Sequence, residues 1–170
     1  MKSIYISHYQ SPVGTLLVGS IDEHLCLCDW QERKARSTID NRVARKLNAH
    51  YKNQDCQFNQ TVIKQLESYF HHEMQHFDLP LCFAGTDFQK KVWQGLIDIP
   101  YGKTKSYGQL ATNLGIKSSV RAVANANGAN ALSIIVPCHR IIGANGQLTG
   151  YAGGLQTKQF LLNLESKTAL

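Results

Sequence analysis

The spacing of apolar residues changes once along this 170-residue chain. Residues 1–30 alternate apolar and polar side chains in three short runs separated by the turn sequences SPVG and IDEH, which predicts antiparallel strands. From residue 84 onward the apolar residues recur at helical spacing. We therefore predict an α+β protein, with a small α/β domain holding a three-stranded antiparallel sheet at residues 1–83 and a mostly helical domain at residues 84–170.

Two further segments of the first domain have the periodicity of helices. Residues 32–51 form one, and residues 61–73 form the other, with Val62, Leu66 and Tyr69 along one face. The segment LPLCFAG, residues 79–85, is predicted to link the two domains. This first domain has the character of a scaffold.

The helices of the second domain are predicted from their capping residues. TDFQ (residues 86–89) and SYGQ (residues 106–109) each match the capping box, in which a hydroxyl side chain and a Gln bond each other's backbone N–H groups. Gly115 should end the second helix, and Ser118 should cap a third, SVRAVANAN. Two short helices joined by a glycine-containing turn are the layout of a helix-turn-helix.

The third of these helices is rich in small side chains. Ala122, Ala124 and Ala126 would let its backbone approach a ligand closely, or would equally let it pack tightly against neighbouring helices. Residues 1–83 hold nine basic and nine acidic residues and residues 84–170 nine and three, so the whole net charge of +6 lies in the second half. Such a surface favours a polyanionic partner, although basic charge alone also aids solubility.

Composition argues against secretion and membrane insertion. The N-terminal residues lack the apolar run of a signal peptide, and no run of about 18 apolar residues occurs. Five irregularly spaced cysteines argue against a disulfide framework, so we predict a cytoplasmic protein with reduced thiols. Cys26 and Cys28, with His24, could supply part of a zinc site, but we predict no metal.

The segment IIVPCHRIIG (residues 134–143) places Cys138 beside His139. A cysteine attacks as thiolate, and with a free pKa of about 8.5 it needs a base or a positive field. Adjacent side chains usually point apart, so a relay through water is easier than direct contact. The carboxylates of the second half that could orient His139 are Asp87, Asp98 and Glu165, and Glu165 ends a helix whose packing would bring it inward. The pair could also be half of a metal site, or the cysteine could be packed as a small hydrophobe.

These motifs together resemble the O6-alkylguanine-DNA alkyltransferases, also called methylated-DNA-protein-cysteine methyltransferases. The matching segments cover nearly all of residues 85–165, in family order and spacing: GTDFQKKVW, IPYGKTKSYGQLA, VRAVANANGAN, IIVPCHRIIG and GYAGGLQTKQFLLNLE. SPVGTLLV and YFHHEMQHFDLPL resemble the family's first, ribonuclease H-like domain more loosely. The resemblance implies that Cys138 accepts the alkyl group, that His139 is its water-mediated base, and that Glu165 holds the histidine.

The resemblance also implies how DNA binds. The recognition helix would enter the minor groove, Arg121 would fill the place of a flipped guanine, and Tyr107 would help rotate the nucleotide out and serve as a proton donor. Asn130 would tie the helix to the cysteine loop as a further catalytic residue. The implied DNA-binding residues are Tyr107, Ser119, Arg121, Ala122, Ala124 and Asn125. The implied base pocket comprises Tyr107, Val136, Tyr151, Ala152 and Gly153.

The chain departs from the family pattern at five positions. Ala124 and His72 stand where the family commonly has glycine, and Ala152 stands where some members have serine. Ala131 and Ser133 occupy frequent proline positions. These changes bear on groove fit, loop rigidity and pocket breadth rather than on the reaction.

The resulting hypothesis is direct DNA repair. The protein, as a monomer without a cofactor, would move an alkyl group from O6-alkylguanine or O4-alkylthymine in duplex DNA onto Cys138, once per molecule. The main competing hypothesis is a non-catalytic protein that only binds the alkylguanine lesion, and the cysteine of PCHR argues against it. Two further hypotheses are a helix-turn-helix regulator and a thiol hydrolase.

Overall fold

A computed structural model of the chain describes residues 1–168. The chain divides into two compact units, Met1–Gly85 and Thr86–Leu170, and the predicted α+β class is confirmed. The elements of the first unit are β1 (Lys2–Ser11), β2 (Gly14–Ile21), β3 (His24–Trp30), α1 (Arg36–Leu47), β4 (Ala49–Lys52) and α2 (Gln57–Phe70).

The sheet of the first unit has four strands, not the three predicted. Its order is β3-β2-β1-β4, with antiparallel pairs except for β4, which runs parallel to β1. The first three residues of β4 fall within residues 32–51, all of which we predicted to be helical. The helix ends early because Asn48 adopts a left-handed conformation (φ 48°) and its N–H caps α1. Ala49 then turns into the sheet, where it is buried.

Helix α2 covers the sheet with the predicted face. Val62, Leu66 and Tyr69 are fully buried. The helix ends at Phe70, short of the predicted residue 73, in a pair of hydrogen bonds typical of a Schellman motif. His72 occupies its left-handed position with φ 62°, which explains why a glycine is usual at this point in the family.

The predicted linker partly belongs to the first unit. The Leu25 N–H donates to the Pro80 carbonyl and the Cys82 N–H donates to the Leu25 carbonyl, both at 2.8 Å, so residues 80–82 form a parallel bridge along the free edge of β3. Covering an exposed strand edge in this way removes a site of unwanted pairing.

The second unit is mostly helical. Its elements are α3 (Asp87–Ile97), β5 (Lys105–Ser106), α4 (Tyr107–Asn113), a 3₁₀ turn (Lys117–Ser119), α5 (Val120–Gly128), a second 3₁₀ turn (Cys138–Arg140), β6 (Ile141–Ile142) and α6 (Leu155–Thr168). Among the described helices, none combines the length and apolar character that crossing a bilayer requires.

We predicted the capping residues of three helices in the second unit, and two of the three predictions are confirmed. Both predicted capping boxes form, at Thr86 with Gln89 and at Ser106 with Gln109. The predicted cap at Ser118 is wrong, because this residue lies inside the 3₁₀ turn and α5 begins after Ser119 without a side-chain cap. Gly115 (φ 72°) does reverse the chain after α4.

Candidate active site

Two tight turns present Cys138 at the head of a 3₁₀ turn. The turns centre on Ile134 and Pro137. In the first, the Ile135 N–H donates to the Ser133 carbonyl at 2.9 Å, and in the second the Cys138 N–H donates to the Val136 carbonyl at 2.8 Å. Ile134 has φ 72°, a strained conformation for a β-branched residue that costs about 1–3 kcal/mol. Pro137 (φ −80°, ψ 63°) suits its turn without strain. The loop backbone is therefore held in a shape that a relaxed chain would not adopt.

Asn130 clamps this loop from the end of α5. Its Nδ2 donates to the Val136 carbonyl at 2.9 Å, and its Oδ1 accepts from the Leu132 N–H at 2.9 Å. The side chain is buried, so both bonds are protected from water. These two bonds tie the end of α5 to the cysteine loop.

The predicted partners of the cysteine lie together in the interior. His139 Nε2 is 2.7 Å from Glu165 Oε2, and neither side chain has appreciable exposure. Within the described residues, the other ring nitrogen, Nδ1, is buried and makes no hydrogen bond. A buried polar atom of this kind calls for an explanation, and a water between Nδ1 and the neighbouring Cys138 would supply one.

Arg140 also holds Glu165, and the sequence interpretation assigned it no role. Its Nε donates to Oε1 at 2.8 Å and its Nη2 to Oε2 at 3.0 Å, while its Nη1 donates to the Ile99 carbonyl at 2.6 Å. An arginine inside the apolar run IIVPCHRIIG needs a buried carboxylate, and that signal could have identified the pair.

The charges of this network are set by burial and pairing. Burial lowers the pKa of His139, and the opposing effect of Glu165 does not overcome it. Burial by itself raises the pKa of Glu165, but its contacts with His139 and Arg140 hold that pKa well below its usual range. The imidazole is then neutral with its Nε2–H donated to a carboxylate, so Nδ1 carries the lone pair. Such a histidine is ready to accept a proton.

Lys158 is the second buried cation of the site that the sequence interpretation missed. Its side chain has no exposed surface, and its Nζ donates to the Thr149 carbonyl at 2.8 Å. Burial lowers the pKa of Lys158, and the negative charge of a Cys138 thiolate opposes that shift. Lys158 precedes Glu165 by seven residues on α6, the spacing of one helix face, and this was the available signal.

A two-stranded parallel ladder brings Tyr107 to the same region. Ser106 in β5 pairs with Ile142 in β6, close behind the cysteine turn. Tyr107 follows Ser106 directly, is half-buried, and places its hydroxyl 3.0 Å from the Thr149 hydroxyl. The ring of Tyr151 lies edge-on to His139 with centroids 6.4 Å apart.

The remaining predicted pocket residues differ in exposure. Ala152 and Gly153 are half-buried beside Tyr151, whereas Val136 has no exposed surface. Val136 contributes its carbonyl, which accepts from Asn130 and from the Cys138 N–H. Its side chain therefore belongs to the core.

Of the predicted DNA-binding residues, Tyr107 begins α4, Ser119 directly precedes α5, and the others lie on α5. Arg121, Ala122 and Asn125 are exposed, and Ser119 and Ala124 are half-buried. Ala126 is buried, and its carbonyl accepts from Trp93 Nε1 at 2.8 Å. Ala126 therefore packs against α3, as the packing interpretation expects, and Ala122 is exposed on the same helix.

Comparison with known proteins identifies the family. Models of the 6-O-methylguanine DNA methyltransferase ribonuclease-like domain and DNA binding domain match residues 4–83 and 87–167. A methylated-DNA–protein-cysteine methyltransferase of Methanosarcina acetivorans is 42% identical over 162 residues, covering 95% of this chain and 98% of the relative. A protein of that name from Mycobacterium tuberculosis is 52% identical over 108 residues, 64% of this chain and 66% of its own length.

Solved structures agree with the sequence relatives. The crystal structure of Mycobacterium tuberculosis OGT in complex with DNA matches with a TM-score of 0.82 at 38% identity, covering 98% of this chain and 94% of that one. Together with the whole-length relative, this match extends the resemblance to both units. The chain belongs to the methylated-DNA–protein-cysteine methyltransferase family.

Proposed function

We propose that the protein repairs DNA by moving a methyl or other small alkyl group from guanine O6, or thymine O4, onto Cys138. The observation that carries this proposal is the buried Nδ1 of His139, which makes no hydrogen bond within the described residues, while Glu165 holds Nε2 of the same ring and Cys138 is the preceding residue. This arrangement provides a base for a thiol through one water. The product is a thioether, which is stable, so each molecule acts once.

The residues of the site account for each proton and electron pair. The Cys138 proton passes through water to His139 Nδ1, and the imidazolium is stabilised by Glu165. The thiolate attacks the alkyl carbon, the carbon–O6 bond breaks, and its electron pair remains with the guanine anion. Tyr107 then donates its phenolic proton to that anion. The buried ammonium of Lys158 favours the thiolate electrostatically.

DNA is the partner that the surface favours. We propose that α4 and α5 act as a helix-turn-helix whose second helix enters the minor groove. This groove is only about 6 Å wide, and the small side chain of Ala122 would face it. Exposed Arg121 would fill the space of a flipped nucleotide, whose extrusion costs about a few kcal/mol. We also propose that the protein is a monomer in the cytoplasm. Its five cysteines are free thiols, which suits a reducing compartment.

The direct test is incubation with duplex DNA carrying O6-methylguanine, followed by peptide mass analysis. We expect one methyl group on Cys138 and none from unmodified duplex. Binding that depends on the lesion, without methylation, would instead identify a lesion-binding protein. Equal binding to damaged and undamaged duplex would identify a helix-turn-helix regulator. Release of methanol over repeated turnovers would identify a hydrolase.

Arg121→Ala tests nucleotide flipping. Because Arg121 acts only on a duplex, we expect the variant to repair duplex DNA about tenfold more slowly, the loss of about 1.4 kcal/mol, while reaction with free alkylguanine base stays unchanged. Arg45→Ala, at an exposed arginine in the last turn of α1, is the matched control. Equal losses on both substrates would remove the flipping role.

A further inference from the structure

Thr149 contacts two polar groups of the proposed reaction centre. It lies between β6 and α6, and its hydroxyl is 3.0 Å from the Tyr107 hydroxyl. Its carbonyl accepts the 2.8 Å hydrogen bond from the Lys158 ammonium. Thr149 thus connects its exposed loop to the half-buried Tyr107 and to the buried Lys158.

The bond with Lys158 fixes the Thr149 backbone. A buried ammonium without acceptors is strongly unfavourable, and a hydrogen bond from a charged donor is stronger than one between neutral groups. Since the Lys158 side chain is fully buried, the loop is held where its carbonyl meets Nζ. The Thr149 hydroxyl is thereby kept against Tyr107, although the residue itself is exposed.

Proton counting gives the direction of the bond between the two hydroxyls. A tyrosine hydroxyl has one proton, and during the proposed reaction that proton goes to the guanine. Thr149 must then be the donor and the Tyr107 oxygen the acceptor. A hydrogen bond received by this oxygen stabilises the phenolate that proton transfer leaves behind.

We propose that Thr149 is a positioning residue for alkyl transfer, which keeps the Tyr107 proton directed at the flipped base and donates to the phenolate oxygen as the guanine leaves. This inference rests on the proposed function. In the step concerned, the S–C bond forms, the C–O6 bond breaks, and the guanine anion takes the Tyr107 proton. Tyr107 regains a proton from solvent after the base has departed.

The test compares Thr149→Val, which keeps the shape but removes the hydroxyl, with Thr149→Ser, which keeps the hydroxyl. Single-turnover transfer from saturating O6-methylguanine duplex should be about tenfold slower in Thr149→Val, the value of about one hydrogen bond. Affinity for the duplex should not change, and Thr149→Ser should react at nearly the original rate. Thr61→Val, at an exposed threonine of α2, is the matched control.

Two further measurements separate positioning from a general disturbance of the site. Iodoacetamide alkylates Cys138 with iodide as the leaving group and needs no proton donor, so Thr149→Val should react with it normally. In a Tyr107→Phe background, Thr149→Val should cause no additional loss, because the hydroxyl it serves is already absent. Thermal melting checks that each variant is folded, and Thr149→Ala serves in place of a valine variant that does not fold.

Several outcomes would overturn the inference. They are an unchanged rate in Thr149→Val, a serine variant as slow as the valine variant, an equal slowing toward iodoacetamide, or a further tenfold loss on Tyr107→Phe. Failure of the unsubstituted protein to methylate Cys138 would instead overturn the proposed function. The two failures are therefore distinguishable.

Discussion

Each unit of the protein contains a buried carboxylate held by arginine, and in the second unit a histidine shares that carboxylate. In the first unit, Asp29 Oδ2 accepts from Arg33 at 2.8 Å and lies 3.1 Å from Arg36 Nη1, while Oδ1 accepts from the Trp30 N–H at 3.0 Å. These contacts fasten the start of α1 to the end of β3.

In the second unit, Glu165 is bound by Arg140 in the same way but also accepts from His139. The histidine has an unpaired nitrogen within the described residues and adjoins a cysteine. An arginine–carboxylate pair in a protein interior therefore does not itself mark a functional site. The distinguishing feature of the second unit is a histidine that the pair holds by one ring nitrogen, with the other nitrogen left without a hydrogen bond among the described residues, directly after a cysteine.

The strongest test of this difference is removal of the sulfur in each unit. Cys138→Ala should abolish alkyl transfer completely while lesion binding persists, because the proposed acceptor sulfur is removed. Cys28→Ala, at a fully buried cysteine of β3 whose pKa is raised by burial, should keep transfer at its original rate and only lower the unfolding free energy. Peptide mass analysis and chemical denaturation measure the two quantities. Methylation of the Cys138→Ala protein would refute the assignment.

The next largest effect is expected from neutralising each carboxylate. Glu165→Gln has no charge and one accepting oxygen in place of two, so it cannot keep all three bonds from Arg140 and His139. We expect a loss of about 3 kcal/mol in unfolding free energy and transfer about 100-fold slower. Asp29→Asn should lose comparable stability with no change in the transfer rate of the folded protein. Denaturation curves and single-turnover rates give both values. Equal slowing in the two variants would mean that Glu165 acts through stability alone.

A smaller effect is expected from pH. The pKa of buried His139 is lowered from 6.5, so below that pH the unfolded chain binds a proton that the native site refuses, and stability falls with decreasing pH. Glu165, with a pKa lowered from 4.5, adds a further loss of the same sign below about pH 4.5.

The pH dependence of the alkyl-transfer rate should also be set by the protonation of His139. Because His139 stays neutral below its ordinary pKa, the single-turnover rate should remain level from pH 8 to 6.5. His139→Gln should flatten the stability curve between pH 7 and 5. Stability that rises on acidification through this interval would contradict the assignment.

Local sequence predicted those parts of the fold that depend on neighbouring residues. The capping boxes at Thr86 and Ser106 formed because each needs only a hydroxyl and a Gln three residues later. The cap at Ser118 failed because the chain instead tightened into a 3₁₀ turn. β4 was missed because its pairing with β1 joins Ala49 to Lys2, 47 residues earlier, and a helical pattern ran through it.

By itself, the sequence indicated the family and the two-domain order, and it selected Cys138, His139 and Glu165 as candidate site residues, because motif spacing can be read without coordinates. Only the tertiary structure decided which nitrogen of His139 is free, that Arg140 shares Glu165, and that Lys158 and Tyr107 meet at Thr149. The physical reason is burial. Whether a polar atom is paired depends on groups brought from distant parts of the chain, and only packing excludes the water that would otherwise satisfy it.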